Sequence, residues 1–166
     1  KKVLVYFRPG IARNYYPLIL KILEESYKKY GQDIRFTLVG AKKFWWQFSI
    51  PKNSQIISVN SYSKLQDLYN KHSLGLIFIS TPTCSLQQLD FIEANIPFIT
   101  NVNEEFQSRF DTKGAIFVDL NPVEIVATIK RFFELEQKPS HENFVDKANF
   151  IEKNLVTFLK RGFKNV

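Results

Sequence analysis

Leu74-Gly75-Leu76-Ile77-Phe78-Ile79, running directly into Ser80-Thr81-Pro82-Thr83-Cys84-Ser85, is the stretch from which the fold is read. A strand with one wet face alternates apolar and polar residues, whereas a parallel strand covered by helices on both faces is apolar throughout. Leu74 to Ile79 has no polar side chain and is far shorter than the ~20 residues of a membrane span. It therefore predicts a central strand of a parallel sheet. The polar run that follows is then the loop at the strand's C-terminal end, where open α/β sheets place their ligands.

Working outward, short β-rich runs alternate with helical stretches on both sides of this strand. Val3 to Phe7 reads as strand one. Arg8-Pro9-Gly10 breaks it, and Leu18, Ile19, Ile22, Leu23 and Tyr27 then recur at helical spacing over Tyr15 to Lys29, with Asn14 as the expected N-cap. Strand two is Ile34 to Val39, closed by Gly40, and strand three is Ile56 to Val59 after a turn over Pro51 to Ser54. Ser63 is expected to cap a helix through Lys71. After the Ser80 loop come a helix from Leu86 to about Ala94, strand five over Pro97 to Thr100 and strand six over Ala115 to Val118. Asn121 and Pro122 occupy the N-cap and first position of a helix to about Leu135, and a last helix covers His141 to Lys160. The expectation is a Rossmann-like α/β fold: a doubly wound sheet of about six parallel strands flanked by helices, with its site in the loops after strands one, four and five.

Composition agrees with a folded chain. The 45% hydrophobic content, rich in Phe, supplies enough apolar surface to offset chain entropy, and 166 residues fit a single domain spanning 1–166. The single Cys84 excludes an internal disulfide, and no Cys/His cluster has zinc spacing. These features, with no signal-peptide pattern, point to a cytoplasmic protein without a metal. The chain opens without Met directly on strand one, which suggests a piece of a longer protein. The net charge of +7 comes mostly from lysines spread singly along helices. That pattern fits a solvated surface, with a phosphate site or peripheral contact with a membrane as the alternatives.

Three segments carry candidate chemistry. Arg8 and Arg13, with Asn14, lie between strand one and the N-terminus of helix one, where two guanidiniums and a positive helix end suit a diphosphate. Neither G-x-G-x-x-G nor G-x-x-x-x-G-K-[ST] is present, which disfavours nicotinamide cofactors and ATP hydrolysis. Thr81, Thr83 and Ser85 can meet phosphate or sugar, and Asp90, three residues before Glu93 on the next helix, can accept from ribose hydroxyls. Asn60-Ser61-Tyr62 follows strand three. There Tyr62 either stacks on a base or closes the helix entry as a hydrophobic staple, the latter slightly favoured. Trp45 and Trp46, within Phe44 to Phe48, are core or interface aromatics. Cys84 near a helix N-terminus is reactive if its thiol pKa falls, or simply packed.

Val5-Tyr6-Phe7-Arg8-Pro9-Gly10, Arg13-Asn14, Phe36-Thr37-Leu38-Val39-Gly40, Leu74-Gly75-Leu76 and Leu89-Asp90-Phe91-Ile92-Glu93-Ala94-Asn95-Ile96-Pro97, taken in order, resemble the C-terminal domain of GT-B glycosyltransferases of the bacterial family-4-like or rhamnan-synthesis type. The resemblance covers nearly the whole chain. It implies that Arg8 and Arg13 hold the donor diphosphate and that Asp90 holds the ribose, with the base received around Gly40, Ser61 and Tyr62. In the family's Glu-x7-Glu pattern the first Glu falls at Pro82 and the second is shortened to Asp90, while the usual Gly before the hydrophobic-Pro step is Asn95.

The function expected from this resemblance is nucleotide-sugar binding. The chain would be the donor-binding half of a transferase that moves a sugar from a nucleotide diphosphate sugar to a cell-surface glycan or glycolipid. The acceptor would be held by an N-terminal domain, and no cofactor is expected beyond the donor. A non-catalytic α/β module that binds a protein partner through Phe44 to Phe48 is the alternative. Nucleic-acid binding ranks last, because no recognition motif accompanies the charge.

Overall fold

A computed structural model describes residues 1–9, 11–40, 50–81, 85–109 and 114–136. Thr83, Cys84, the aromatic run with Trp45 and Trp46, and the helix expected from His141 lie outside the described residues.

Among the described residues six strands form one sheet: β1 (Lys2–Tyr6), β2 (Arg35–Val39), β3 (Ser54–Ile57), β4 (Leu74–Leu76), β5 (Phe98–Thr100) and β6 (Ala115–Phe117). All pairings are parallel, in the order β3-β2-β1-β4-β5-β6. Successive strands move outward from β1 to β3, then return to its other side with β4, so β1 and β4 flank the point where the order reverses. Val3, Leu4 and Val5 are all fully buried, which explains why this central strand reads without alternation.

The helices are α1 (Tyr16–Tyr30), α2 (Tyr62–Tyr69), α3 (Leu86–Glu93), α4 (Glu104–Arg109) and α5 (Pro122–Glu136). On one face of the sheet, Ile19, Ile22 and Leu23 of α1 and Ile125, Ile129, Phe132 and Phe133 of α5 pack over Val3, Val5, Phe36 and Leu76. On the other, Tyr69 of α2, Phe91 of α3 and Phe106 of α4 cover Leu4, Phe98 and Phe117. Phe91 stacks on Phe98 with centroids 5.5 Å apart. This packing depends on Gly75, where a Cβ would sit 2.7 Å from the Phe91 ring.

Several boundaries differ from the sequence expectations. The N-cap of α1 is Tyr15, not Asn14: Ala12–Asn14 forms a 3-10 turn, and Tyr15 enters the helix at φ 46° with no side-chain cap. The cap of α2 is Ser61, whose hydroxyl accepts from Lys64 N at 3.4 Å, so the helix starts earlier than a Ser63 cap allows. Strand β3 begins at Ser54, because the turn closes as soon as Ser54 N reaches Pro51 O at 2.9 Å. Helix α4 was not expected; Asn103 starts it by accepting from Phe106 N at 3.0 Å. The cap of α5 agrees with the expectation, with Asn121 Oδ1 accepting from Val123 N at 3.0 Å, and α3 is capped by a Ser85–Gln88 capping box. Asn95 has φ 52°, a left-handed conformation that Asn adopts more readily than most non-glycine residues.

Candidate donor-binding site

At the C-terminal ends of β1 and β4, a cleft of about 300 Å³ is lined by Tyr6, Arg8, Arg13, Asn14, Ile79, Thr81, Ser85, Leu86 and Gln87. It lies where the strand order reverses, between the loops after strands one and four. Arg8, Arg13, Asn14, Thr81 and Ser85, drawn from two distant parts of the chain, are thus brought together.

Both loops are held by backbone bonds. Phe7 N donates to Val39 O at 2.9 Å, which carries the strand pairing one residue past Tyr6 and fixes where Arg8 leaves the sheet. Gly40 lies beside it at φ 95°, and a Cβ there would stand 3.1 Å from Arg8 Cγ and 3.3 Å from Phe7 O. Gly40 thus leaves the room that Arg8 occupies. Ser80 N donates to Arg13 O at 2.8 Å and ties one loop to the other.

The β4 side is braced by two asparagines. Asn101 accepts from Ile79 N through Oδ1 and donates to Ile79 O through Nδ2, both at 2.9 Å. Its amide side chain thereby pairs with β4 as a further strand residue would. Asn103 Nδ2 donates to Thr81 O at 3.1 Å, and buried Gln88 Nε2 donates to Thr100 Oγ1 at 3.1 Å. The Ser85 hydroxyl accepts from Gln87 N and bonds the Gln87 side-chain oxygen, so it lines the cleft as part of the α3 cap.

The electrostatics centre on Tyr6. The Arg8 guanidinium lies 5.4 Å from the Tyr6 ring centroid, a cation–π distance. Burial pushes the Tyr6 hydroxyl pKa up, with Arg8 and Arg13 opposing and Asp90 adding to the rise. Arg8, Arg13 and Asp90 therefore all act on one half-buried phenol. Asp90 is not a lining residue of the cleft; it is half-buried on α3, where burial raises its pKa first, a hydrogen bond from Tyr69 lowers it, and Glu93 raises it. The Tyr69 hydroxyl is in turn pushed far up by burial and by Asp90.

The residues expected around the base lie outside the cleft, on the β2–β3 side. Gly40 ends β2, Ser61 is occupied as the α2 cap, and Tyr62 is 54% exposed. A hydrophobic staple joins the residue before the N-cap to the fourth helical residue. Those positions are Asn60 and Leu65, so Tyr62, the first helical residue, is not a staple. Sequence reasoning missed Tyr6, whose strand position looked purely structural, and Gln87 and the two asparagines, which carry no motif. Among the described residues no three His, Cys, Asp or Glu side chains gather as metal ligands, and no helix is long and apolar enough to cross a membrane.

Residues 1–130 match the family model described as WsaF, C-terminal domain. No curated protein matches the chain in sequence. Among solved structures, it is similar to the catalytic domain of cholesterol-alpha-glucosyltransferase from Helicobacter pylori, at 14% identity and a TM-score of 0.60 over 96% of this chain and 98% of that one. The pneumococcal O-GlcNAc transferase GtfA, solved in complex with UDP and GlcNAc, aligns with 99% of the chain at 12% identity and a TM-score of 0.64. The GtfA/B complex aligns with 96% at 11% identity and a TM-score of 0.57. At these identities the likeness is one of fold. The chain spans 34% and 36% of the length of the last two.

Proposed function

The chain belongs to the family of WsaF C-terminal domains, within the GT-B glycosyltransferases, and from that premise we propose that it binds the nucleotide diphosphate sugar of the transfer reaction. The observation that carries this reading is the convergence of Arg8 and Arg13 with Asn14 and Thr81 in the cleft at the β1/β4 reversal. Two guanidiniums on neighbouring loops match a diphosphate in charge and in hydrogen-bonding geometry. As the bond from the sugar to the diphosphate breaks, negative charge grows on the leaving oxygens, and Arg8 and Arg13 stabilise it electrostatically. In this reading Asp90 receives the ribose beneath Tyr6, and Tyr62 faces the base.

The acceptor, a cell-surface glycan or a lipid-linked sugar, is held by a second domain lying over the same edge of the sheet. All the exposed large apolar side chains among the described residues support this: Ile11, Tyr62, Leu86, Leu120 and Val123 follow β1, β3, β4 and β6 at their C-terminal ends. Such a patch along one edge fits a domain interface. The domain by itself binds donor and does not transfer.

The test is a thermal-shift titration with UDP, dTDP and GDP. UDP comes first, because it is the nucleotide in the GtfA complex. A nucleotide at 100 times its Kd adds about 2.7 kcal/mol, read as a rise of roughly 5–11 °C for a chain of this size. Arg8→Ala and Arg13→Ala are each expected to weaken binding about tenfold or more, the loss of a charged hydrogen bond. Nucleotide binding untouched by either substitution would place the donor elsewhere, and no stabilisation by any nucleotide would favour a protein-interaction module.

A further inference from the structure

On the opposite edge of the sheet, a larger hollow of about 450 Å³ opens around the first residues of the strands on the β3 side. Four cations from separate parts of the fold line it: Lys2 begins β1, Arg35 begins β2, Lys52 lies in the turn before β3, and Lys71 follows α2. No carboxylate is among the lining residues, and none of the four cations is in an ion pair among the described residues. Like charges gathered around one concavity disfavour each other and are relieved by an anion placed among them.

The floor is polar, ordered and nearly closed to water. Thr37, Asn53 and His72 are 4%, 3% and 9% exposed. His72 Nδ1–H donates to the Leu68 carbonyl, which leaves Nε2 to accept from the Thr37 hydroxyl at 2.8 Å. Gln55 Nε2 donates to the same hydroxyl oxygen at 3.2 Å. Asn53 Nδ2 donates to Ile34 O at 3.0 Å and so fixes the turn that carries Lys52. Burial holds the His72 pKa below its ordinary value, the hydrogen bond to Leu68 O opposes this, and Lys2 and Lys71 lower it further. The imidazole therefore senses the positive field of the hollow directly.

We propose that this hollow is a second anion site, separate from the donor cleft, that takes a phosphate ester. Four cations exceed what a single carboxylate balances. Arg35 brings the planar fork that suits phosphate oxygens, and the volume lies within the ~300–1,000 Å³ range of small-molecule sites. The ester is either a soluble metabolite or the headgroup of an anionic phospholipid.

His72 is the reporter for the test. The chain has two histidines, and His141→Gln leaves the His72 imidazole resonances alone in the NMR spectrum. Glycerol phosphate, titrated at constant ionic strength against sodium chloride, is expected to shift these resonances and raise the His72 titration midpoint, because a nearby anion favours imidazolium. Arg35→Gln with Lys71→Gln, both exposed, is expected to weaken the effect about tenfold or more. Arg8→Ala with Arg13→Ala leaves it unchanged. In a second arm the protein is sedimented with phosphatidylcholine vesicles with and without phosphatidylglycerol. Response to glycerol phosphate without vesicle binding assigns the site to a soluble ester. Phosphatidylglycerol-dependent sedimentation, lost in the Arg35/Lys71 variant, assigns it to a lipid headgroup. The proposal is overturned if glycerol phosphate moves His72 no more than chloride does and vesicle binding is absent or unaffected by the double variant.

Discussion

Gly40→Ala separates the backbone's contribution to the donor site from that of the arginine itself. At φ 95° an alanine is strained, and its Cβ would stand 3.1 Å from Arg8 Cγ, 3.3 Å from Phe7 O and 3.7 Å from Arg8 Nε. The Phe7 carbonyl is backbone held next to the Phe7 N–Val39 O bond, so the Arg8 side chain must move by a few tenths of an ångström. The conformational penalty is about 1–2 kcal/mol, which lowers Tm by roughly 2–8 °C for a chain of this size. Moving the guanidinium forfeits part of a charged hydrogen bond worth about 1.5–3 kcal/mol, so nucleotide affinity falls by about three- to tenfold. Gly31→Ala is the matched control: it also has positive φ, at 54°, but nothing lies within 4 Å of its added Cβ. It is expected to lower Tm and leave affinity unchanged. Thermal denaturation and nucleotide titration of the two variants side by side give the answer. If Gly40→Ala bound nucleotide as the unsubstituted chain does, or if Gly31→Ala lost affinity equally, the claim that Gly40 makes room for a working Arg8 would fall.

Gly75→Ala places a methyl 2.7 Å from the Phe91 ring and should cost about 1–3 kcal/mol as overpacking; Phe91→Leu in the same chain should recover part of the lost Tm, and two simply additive losses would contradict the contact. Asp90→Asn should hold or raise Tm, since burial makes the charged form unfavourable there, while weakening nucleotide binding; a stability loss with unchanged affinity would mark Asp90 as structural. The His72 pKa lies below its ordinary 6.5 in the folded chain, so the unfolded chain takes up a proton first as pH falls. Its contribution to stability is therefore complete above about pH 6.5 and declines below it, and His72→Gln should flatten that part of the Tm-against-pH curve; an unchanged slope would assign the acid loss to other groups.

The sequence carries the fold more clearly than the site because burial leaves a periodic mark and convergence does not. Leu74 to Leu76 and Val3 to Val5 read as central strands since both faces are covered, although the strand expected to run to Ile79 ends at Leu76. The cap at Asn121 reads correctly because residue type and position agree there with local hydrogen bonding. At α1 the local signal points to the wrong residue. Asn14 is the better cap former, yet it lies in a 3-10 turn and the chain enters the helix through Tyr15, beside the point where Ser80 N donates to Arg13 O. Arg8 and Arg13 read as a candidate anion pair from their spacing, and both line the same cleft. Tyr6, which lies against Arg8 and feels Asp90, looked like any strand residue. Asn101 and Asn103 brace the opposite loop across 22 residues of sequence, and nothing local announces such a contact.

The local rules of folding are broken mainly at the C-terminal edge of the sheet. Tyr15 sits at φ 46°, whereas the other positive-φ positions among the described residues are Asn95 or glycines. A bulky side chain in that region costs about 1 kcal/mol or more. Asp90 is half-buried with its charge disfavoured, and the exposed large apolar side chains lie along the same edge. None of these stabilises the domain by itself. In the proposed reading, a ribose hydroxyl donating to Asp90 would offset its desolvation, a diphosphate would satisfy Arg8 and Arg13, and a facing domain would remove Leu86 and Ile11 from water. Strain at this edge, tied to named side chains, supports a surface built to be occupied. The same logic requires that donor binding quench the strain: with nucleotide bound, the Tm cost of Asp90 relative to Asp90→Asn should shrink or reverse.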